Sequence, residues 1–446
     1  MANSYLQRTT GTPASQTKFT VSAWVKRSGL ASSGDMVIFC IYSDSVNKML
    51  LRFQDDDIDV INYGGSTQAR LTTDRKFRDT NAWYHIVWRV DTTLATADDR
   101  VRLYINGVQE TSFSSRTNPS QNFNFGTNWN ITRIGLDDNA AYFDGIMSHF
   151  HYSDGYSYGP DTFGSTDSTT GEWKINTSPT FTLGNNGFTV LKDGNTITDQ
   201  SSNSNDFSAG GATLTKTEDN PSNVFCTLNP LDYNSTTMIA GNNRIAWSQA
   251  AGNFAITTGT LGITTGKYYW EVKLSSDDNS TGIHLGVIQT TPYISRTTAP
   301  TVNTSLFYGL GTRLTTAKAI YKTSNGVDSS ISDTWSNDVI IRVAYDGDAG
   351  KIYMWKGTSE FNGQTFSSNT SFNDATLTAG TMVLPYVAFG DGGSGTKNAH
   401  AAFNFGNGYF RTTQISSAGT NASGNGIFEY DVPTGYTALS TKGLNT

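Results

Sequence analysis

Residues 19–25 read Phe-Thr-Val-Ser-Ala-Trp-Val, with Phe19, Val21, Ala23 and Val25 at every second position. A strand sends successive side chains to opposite faces, so this spacing predicts a β-strand with those four residues turned inward. Val101-Arg-Leu103-Tyr-Ile105 and Val339-Ile-Ile341-Arg-Val343 repeat the pattern. Turn dipeptides accompany them: Asn106-Gly107, Asp346-Gly347, Asn325-Gly326, Asn362-Gly363 and Asp391-Gly392. Nowhere do apolar residues recur at helical spacing for three turns behind a capping residue. The expected fold class is all-β, with antiparallel sheets burying one face against each other as two β-sandwich domains.

Composition narrows the function. Charged residues are 15 % of the 446, against about 25 % in an average soluble chain. Lys plus Arg number 31 and Asp plus Glu 38, a net charge of −7, and the acids are scattered. A phosphate-tracking surface is not expected, so nucleic acid is not a predicted partner. Aromatics at 12 % supply enough ring area for a folded core. Cys40 and Cys226 are the only two cysteines, which leaves no disulfide framework and no CxxC pair. The longest apolar run, Met36 to Tyr42, falls far short of the roughly 20 residues of a membrane helix, and the first residues lack the apolar stretch of an export signal. Synthesis in a cytoplasm without membrane insertion is expected.

Alternation lapses twice. Residues 155–180 and 192–223 are polar and rich in Gly, Asn and Ser, with one apolar stretch, Phe188-Thr-Val190-Leu191, between them. The expected organisation is a sandwich over 1–156, a connector over 157–222 partly packed on it through Phe181, Phe188, Val190 and Leu191, and a second sandwich over 223–446.

Four segments in order, Phe19 to Lys26, Trp83-Tyr-His-Ile-Val-Trp88, Val101 to Gly107 and Phe143-Asp-Gly145-Ile146, resemble the laminin-G/concanavalin A-like jelly roll. From Gly266 the chain resembles a SPRY domain: Gly266-Lys-Tyr-Tyr269-Trp270-Glu271-Val272, Gly282 to Val287, Tyr308-Gly309-Leu-Gly311, Asp338 to Asp346, and Pro385-Tyr-Val-Ala-Phe389. The stretches around Phe163-Gly164 to Glu172-Trp173 and Asp199-Gln-Ser-Ser-Asn-Ser-Asn-Asp206-Phe207 resemble junctions in structural proteins of marine bacteriophages, and nothing about making a sandwich calls for them. The tail from Pro433 to Leu439 also resembles the phage versions. These resemblances imply a non-enzymatic virion protein of a tailed bacteriophage: a tail fibre, appendage or head decoration made in the host cytoplasm. Implied partners are other virion proteins, further copies of the chain, with a homotrimer expected, and a host-surface glycan or protein. Alternative readings are a polysaccharide depolymerase and a host carbohydrate-binding module.

Candidate chemistry is sparse. Sandwich glycosidases place two carboxylates on one strand, often as Glu-x-Asp-x-x-Glu. The six glutamates, Glu110, Glu172, Glu218, Glu271, Glu360 and Glu429, lie far apart and that motif is absent, so no catalytic residue is assigned. Asp55-Asp56-Asp57 with Asp59, Asp98-Asp99, Asp137-Asp138-Asn139 and Asp277-Asp278-Asn279 offer oxygens to calcium, but turn capping accounts for them and no cofactor is expected. His149-Phe-His151 puts two imidazoles on one face of a presumed strand, too little for a metal site alone. Trp24, Trp83, Trp88, Trp270 and Trp355 fall on or beside strands and are expected in cores or subunit contacts. Tyr293, Arg296, Tyr321 and Trp335 lie between SPRY-like strands, where binding residues tend to sit, and are the predicted ligand contacts.

Overall fold

The computed structural model describes residues 3–30, 34–138, 140–192, 196–212, 214–233, 237–239, 243–249, 254–276, 281–289, 307–312, 319–324, 327–360, 377–391 and 397–444. Strands dominate, at 49 % against 3 % helix, and the chain divides into two compact units, Met1–Lys216 and Thr217–Thr446.

Among its described residues the first unit carries sixteen strands. In chain order they are β1 (Ser4–Thr9), β2 (Lys18–Arg27), β3 (Asp35–Asp44), β4 (Asn47–Gln54), β5 (Asp57–Gly64), β6 (Thr67–Thr73), β7 (Tyr84–Asp91) and β8 (Val101–Ile105). They continue with β9 (Val108–Gln109), β10 (Phe113–Thr117), β11 (Ile131–Ile134), β12 (Gly145–Asp154), β13 (Gly164–Thr166), β14 (Trp173–Ile175), β15 (Phe188–Val190) and β16 (Ser208–Gly211). One antiparallel sheet runs β10-β6-β5-β4-β3-β11-β1-β16, the other β15-β12-β2-β7-β8-β9, and β13 pairs with β14 as a separate hairpin. The inner faces meet in one apolar core that includes Phe19, Val21, Ala23, Val25, Phe39, Phe53, Trp88 and Phe150. The alternation at 19–25 is therefore the inward register of a central strand. Asn106 and Gly107 have φ of 48° and 80°, both left-handed, which is the two-residue hairpin turn their sequence predicts.

The stretch expected as a connector is built into this unit. β15 pairs with β12 and β16 with β1, adding an edge strand to each sheet, and Phe188, Val190 and Phe207 enter the core. The unit boundary falls at 216/217. Residues 156–182 lie over the outer face of the six-stranded sheet, so the polar phase of β2, Thr20, Ser22, Trp24 and Lys26, is buried as well as the apolar phase. The motif stretches thus have structural work. Asp167 caps the β13–β14 turn through the N–H groups of Thr169 and Thr170, both at 2.9 Å, and Trp173 fills the space where a Cβ on Gly107 would stand 2.3 Å from its ring.

The second unit stacks a seven-stranded sheet, Leu228–Tyr233, Phe254–Gly259, Val383–Asp391, Thr281–Gln289, Phe307–Thr312, Ala319–Ser324 and Val327–Thr334 in spatial order, on an eight-stranded one. The latter includes Arg244–Gln249, Lys397–Asn404, Lys267–Ser276, Val339–Asp346 and Lys351–Lys356, and Thr437–Ala438 joins it parallel to Tyr268–Tyr269. Trp270, Val272, Leu285, Val343, Phe389 and Phe403 fill the space between.

Candidate functional site

Two of the four predicted contacts, Tyr293 and Arg296, lie outside the described residues. Tyr321 falls on strand Ala319–Ser324, opposite Gly311 and Ser330, and not in an irregular stretch. Trp335 does occupy a loop, but it is 6 % exposed and packs in the core of the second unit, so its ring serves packing and is not offered to a ligand.

Among the described residues the fold assembles an aromatic surface on the outer face of the eight-stranded sheet in the first unit. Register places Cys40 opposite Arg133 and Arg133 opposite Gln7, so the polar phases of β3, β11 and β1 line up across the sheet. The Arg133 guanidinium lies 5.0 Å from the Tyr5 ring centre and 4.9 Å from that of Tyr42, a cation held between two aromatic faces. It also donates from Nε to Gln7 Oε1 at 3.1 Å and from Nη1 to the Asp137 carbonyl at 2.6 Å. Tyr142 extends the row, its ring 6.3 Å from that of Tyr5. Beneath these half-buried side chains lies a small apolar floor of Val37, Cys40, Leu50 and Ile61, with Tyr42 and Tyr63 packed on it. Burial raises the Tyr42 phenol while Arg133 opposes the shift, leaving a neutral hydroxyl at neutral pH.

The carboxylates on this face are committed. Asp59 is fully buried and takes Arg52 at 2.9 Å, Arg70 at 2.8 Å and the Thr72 hydroxyl at 2.7 Å. Asp35 pairs with Arg52, and burial raises its pKa. Asp138 binds Lys48 at 2.7 Å, and Asp137 accepts the Ala141 N–H at 3.0 Å. At the edge, a cleft of about 450 Å³ opens beside β1, lined by Gln7, Arg8, Asn205, Asp206, Phe207 and Ser208. Gln7 belongs to both surfaces. Flat rings next to fixed donors and acceptors suit a hydroxylated ring ligand, which needs an apolar face and directional hydrogen bonds.

Of the remaining candidates, Asp277, Asp278 and Asn279 lie outside the described residues. Asp56 and Asp57 pair with Arg78 at 2.7 Å and Lys76 at 2.6 Å. Among the described residues, no three His, Cys, Asp or Glu side chains group as metal ligands. His149 and His151 do not share a regular strand face: β12 bulges between Ser148 and His151, His149 has φ of 47°, and the rings stand 6.4 Å apart.

Residues 1–156 match a laminin-G family model described as the Concanavalin A-like lectin/glucanases superfamily. The first unit thus contains a jelly-roll domain of the concanavalin A-like class. No curated protein matches the chain. Solved structures similar to it include the SPRY domain of human HERC1, at 14 % identity and a TM-score of 0.29, covering 39 % of this chain and 96 % of that one. The TRIM65 PSpry domain is similar at 11 % identity and a TM-score of 0.29, over 40 % and 88 %. Domain 4 of AbnA, a GH43 extracellular arabinanase from Geobacillus stearothermophilus solved with arabinotriose, follows at 18 % identity and a TM-score of 0.24, over 32 % and 64 %.

Proposed function

We propose that the chain is a non-enzymatic structural and adhesion protein of a tailed bacteriophage particle, a fibre, appendage or surface decoration, that meets a host-surface glycan through the Tyr5–Arg133–Tyr42 face. The observation that carries the binding role is that stack: an arginine between two tyrosines on the open face of a concanavalin A-like sheet. Committed carboxylates favour recognition over hydrolysis, because acid and nucleophile work needs one carboxyl able to hold a proton and another free to attack. Attachment to a virion rests on the resemblance of the junction stretches and the C-terminal tail to those of phage structural proteins more than on the two folds. Weak contacts of this kind gain avidity by repetition, and a trimer of the chain would supply it. The test is a printed array of microbial capsular and lipopolysaccharide glycans, read for the full chain and for Tyr42→Ala combined with Arg133→Ala. Retention that falls at least about tenfold in the variant is expected. Equal retention overturns the site, release of reducing ends from a retained polysaccharide overturns the non-enzymatic reading, and a 48.4 kDa monomer at sedimentation equilibrium overturns the trimer.

A further inference from the structure

We propose that residues 156–182 form an acid-released cover on the outer face of the six-stranded sheet, held shut by neutral His85 and His151. Trp173 donates its indole N–H to His85 Nδ1 at 2.9 Å, and Ser22 Oγ stands 2.9 Å from His85 Nε2. Since Nδ1 must accept, the proton sits on Nε2 and points at Ser22. The imidazole stacks on Trp24, ring centres 4.8 Å apart at 20°, and lies nearly parallel to Trp173, at 5.9 Å and 17°, whose N–H reaches it at the ring edge. On β12, His151 Nδ1 meets Thr189 Oγ1 at 3.0 Å, while Phe163 of the cover stacks on its ring at 5.5 Å and Phe181 meets it edge-on at 5.6 Å. The cover's ends close on Thr20, which receives the Tyr158 N–H at 2.8 Å, and on Ser153, which donates to the Thr182 carbonyl at 2.6 Å.

A second proton on His85 would set an N–H against the Trp173 N–H, turning the latch into a repulsion. Among the described residues the hydrogen-bond partners of the two imidazoles are Ser22, Trp173 and Thr189, none of them a carboxylate. His151 feels His149, His85 and Lys192, all of which oppose its charging, and alternation puts Lys26 of β2, Arg89 of β7 and Arg102 of β8 on the same face of the sheet. The nearby acids are taken or exposed: Asp91 pairs with Lys18 and Asp167 with Lys174, while Asp161 and Glu172 face solvent. Burial lowers both His85 and His151 from the ordinary 6.5 to about 3. With the closed-state value depressed, the stabilisation of closure is complete above 6.5 and is lost as pH falls toward 3. At pH 4 one such imidazole weakens closure by about two orders of magnitude.

Peptide-resolved hydrogen–deuterium exchange on the full chain between pH 7 and pH 4, corrected for intrinsic rates, tests this. Protection at 160–176 is expected to fall at least about tenfold while β4 and β5 stay protected. His85→Gln, which cannot charge, should hold the cover shut to lower pH. Trp173→Phe, which removes the opposing N–H, should weaken the pH dependence even if His85→Gln does not fold. Simultaneous loss of protection in cover and core, a cover still shut at pH 4, or variants that open at the wild-type pH would each overturn the proposal.

Discussion

Glu271 sits fully buried on strand Lys267–Ser276, its two oxygens surrounded by four donors. Oε1 accepts the Tyr269 hydroxyl at 3.0 Å and the Tyr430 N–H at 2.8 Å, while Oε2 accepts the Asn404 amide at 3.2 Å and the Glu429 N–H at 2.9 Å. Burial pushes its pKa up and the donors pull it back. An amide here would turn an N–H₂ toward two donors, so Glu271→Gln is expected to destabilise the chain by about 2–4 kcal/mol, seen as a lower urea midpoint. An unchanged midpoint would show that the carboxylate does not hold the C-terminal segment. The sequence displays Glu271 inside a strand pattern, but its partners Asn404, Glu429 and Tyr430 come from far along the chain. The same limit hid Tyr5, Tyr42 and Arg133: each occupies the polar phase of its own strand, and only the order β3-β11-β1 makes them neighbours.

The segment from Asp199 to Phe207 behaves as one element organised by its first residue. Asp199 accepts the N–H groups of Thr189 at 2.9 Å, Ser201 at 2.9 Å and Asn205 at 2.8 Å, and the Ser201 hydroxyl at 2.8 Å. Asn203 and Asn205 then tie the loop to carbonyls at 184–187, which delivers Phe207 to the core and β16 to β1. Asp199→Ala is expected to cost about 2–3 kcal/mol and to open 200–206 to limited proteolysis; uncut chain with unaltered thermal stability would contradict this. Strands with clean alternation, such as β2 and β8, were legible because the period-two placement of apolar residues is a local property. This loop and the cover over β2 and β7 were not. Their residues carry no alternation, and their polar atoms are satisfied by Asx-type and long-range hydrogen bonds whose partners the sequence does not name.

At the scale of the molecule, the first unit ends at Lys216, although its laminin-G match ends at 156. Cutting at 156 removes β15, β16 and Phe188, whose ring lies 6.0 Å from Phe150, 5.6 Å from Tyr152 and 4.8 Å from Phe207. The fragment that keeps the sandwich whole is therefore 1–216. The proposed binding face lies wholly within it, whereas Tyr293, Arg296, Tyr321 and Trp335, the contacts expected from sequence, belong to 217–446. Glycan-array binding by the two fragments, each first shown to be folded by circular dichroism, separates these accounts most directly. The expected result is that 1–216 retains the glycans bound by the full chain and loses them on Tyr42→Ala with Arg133→Ala. Retention by 217–446, with none by 1–216, would contradict it.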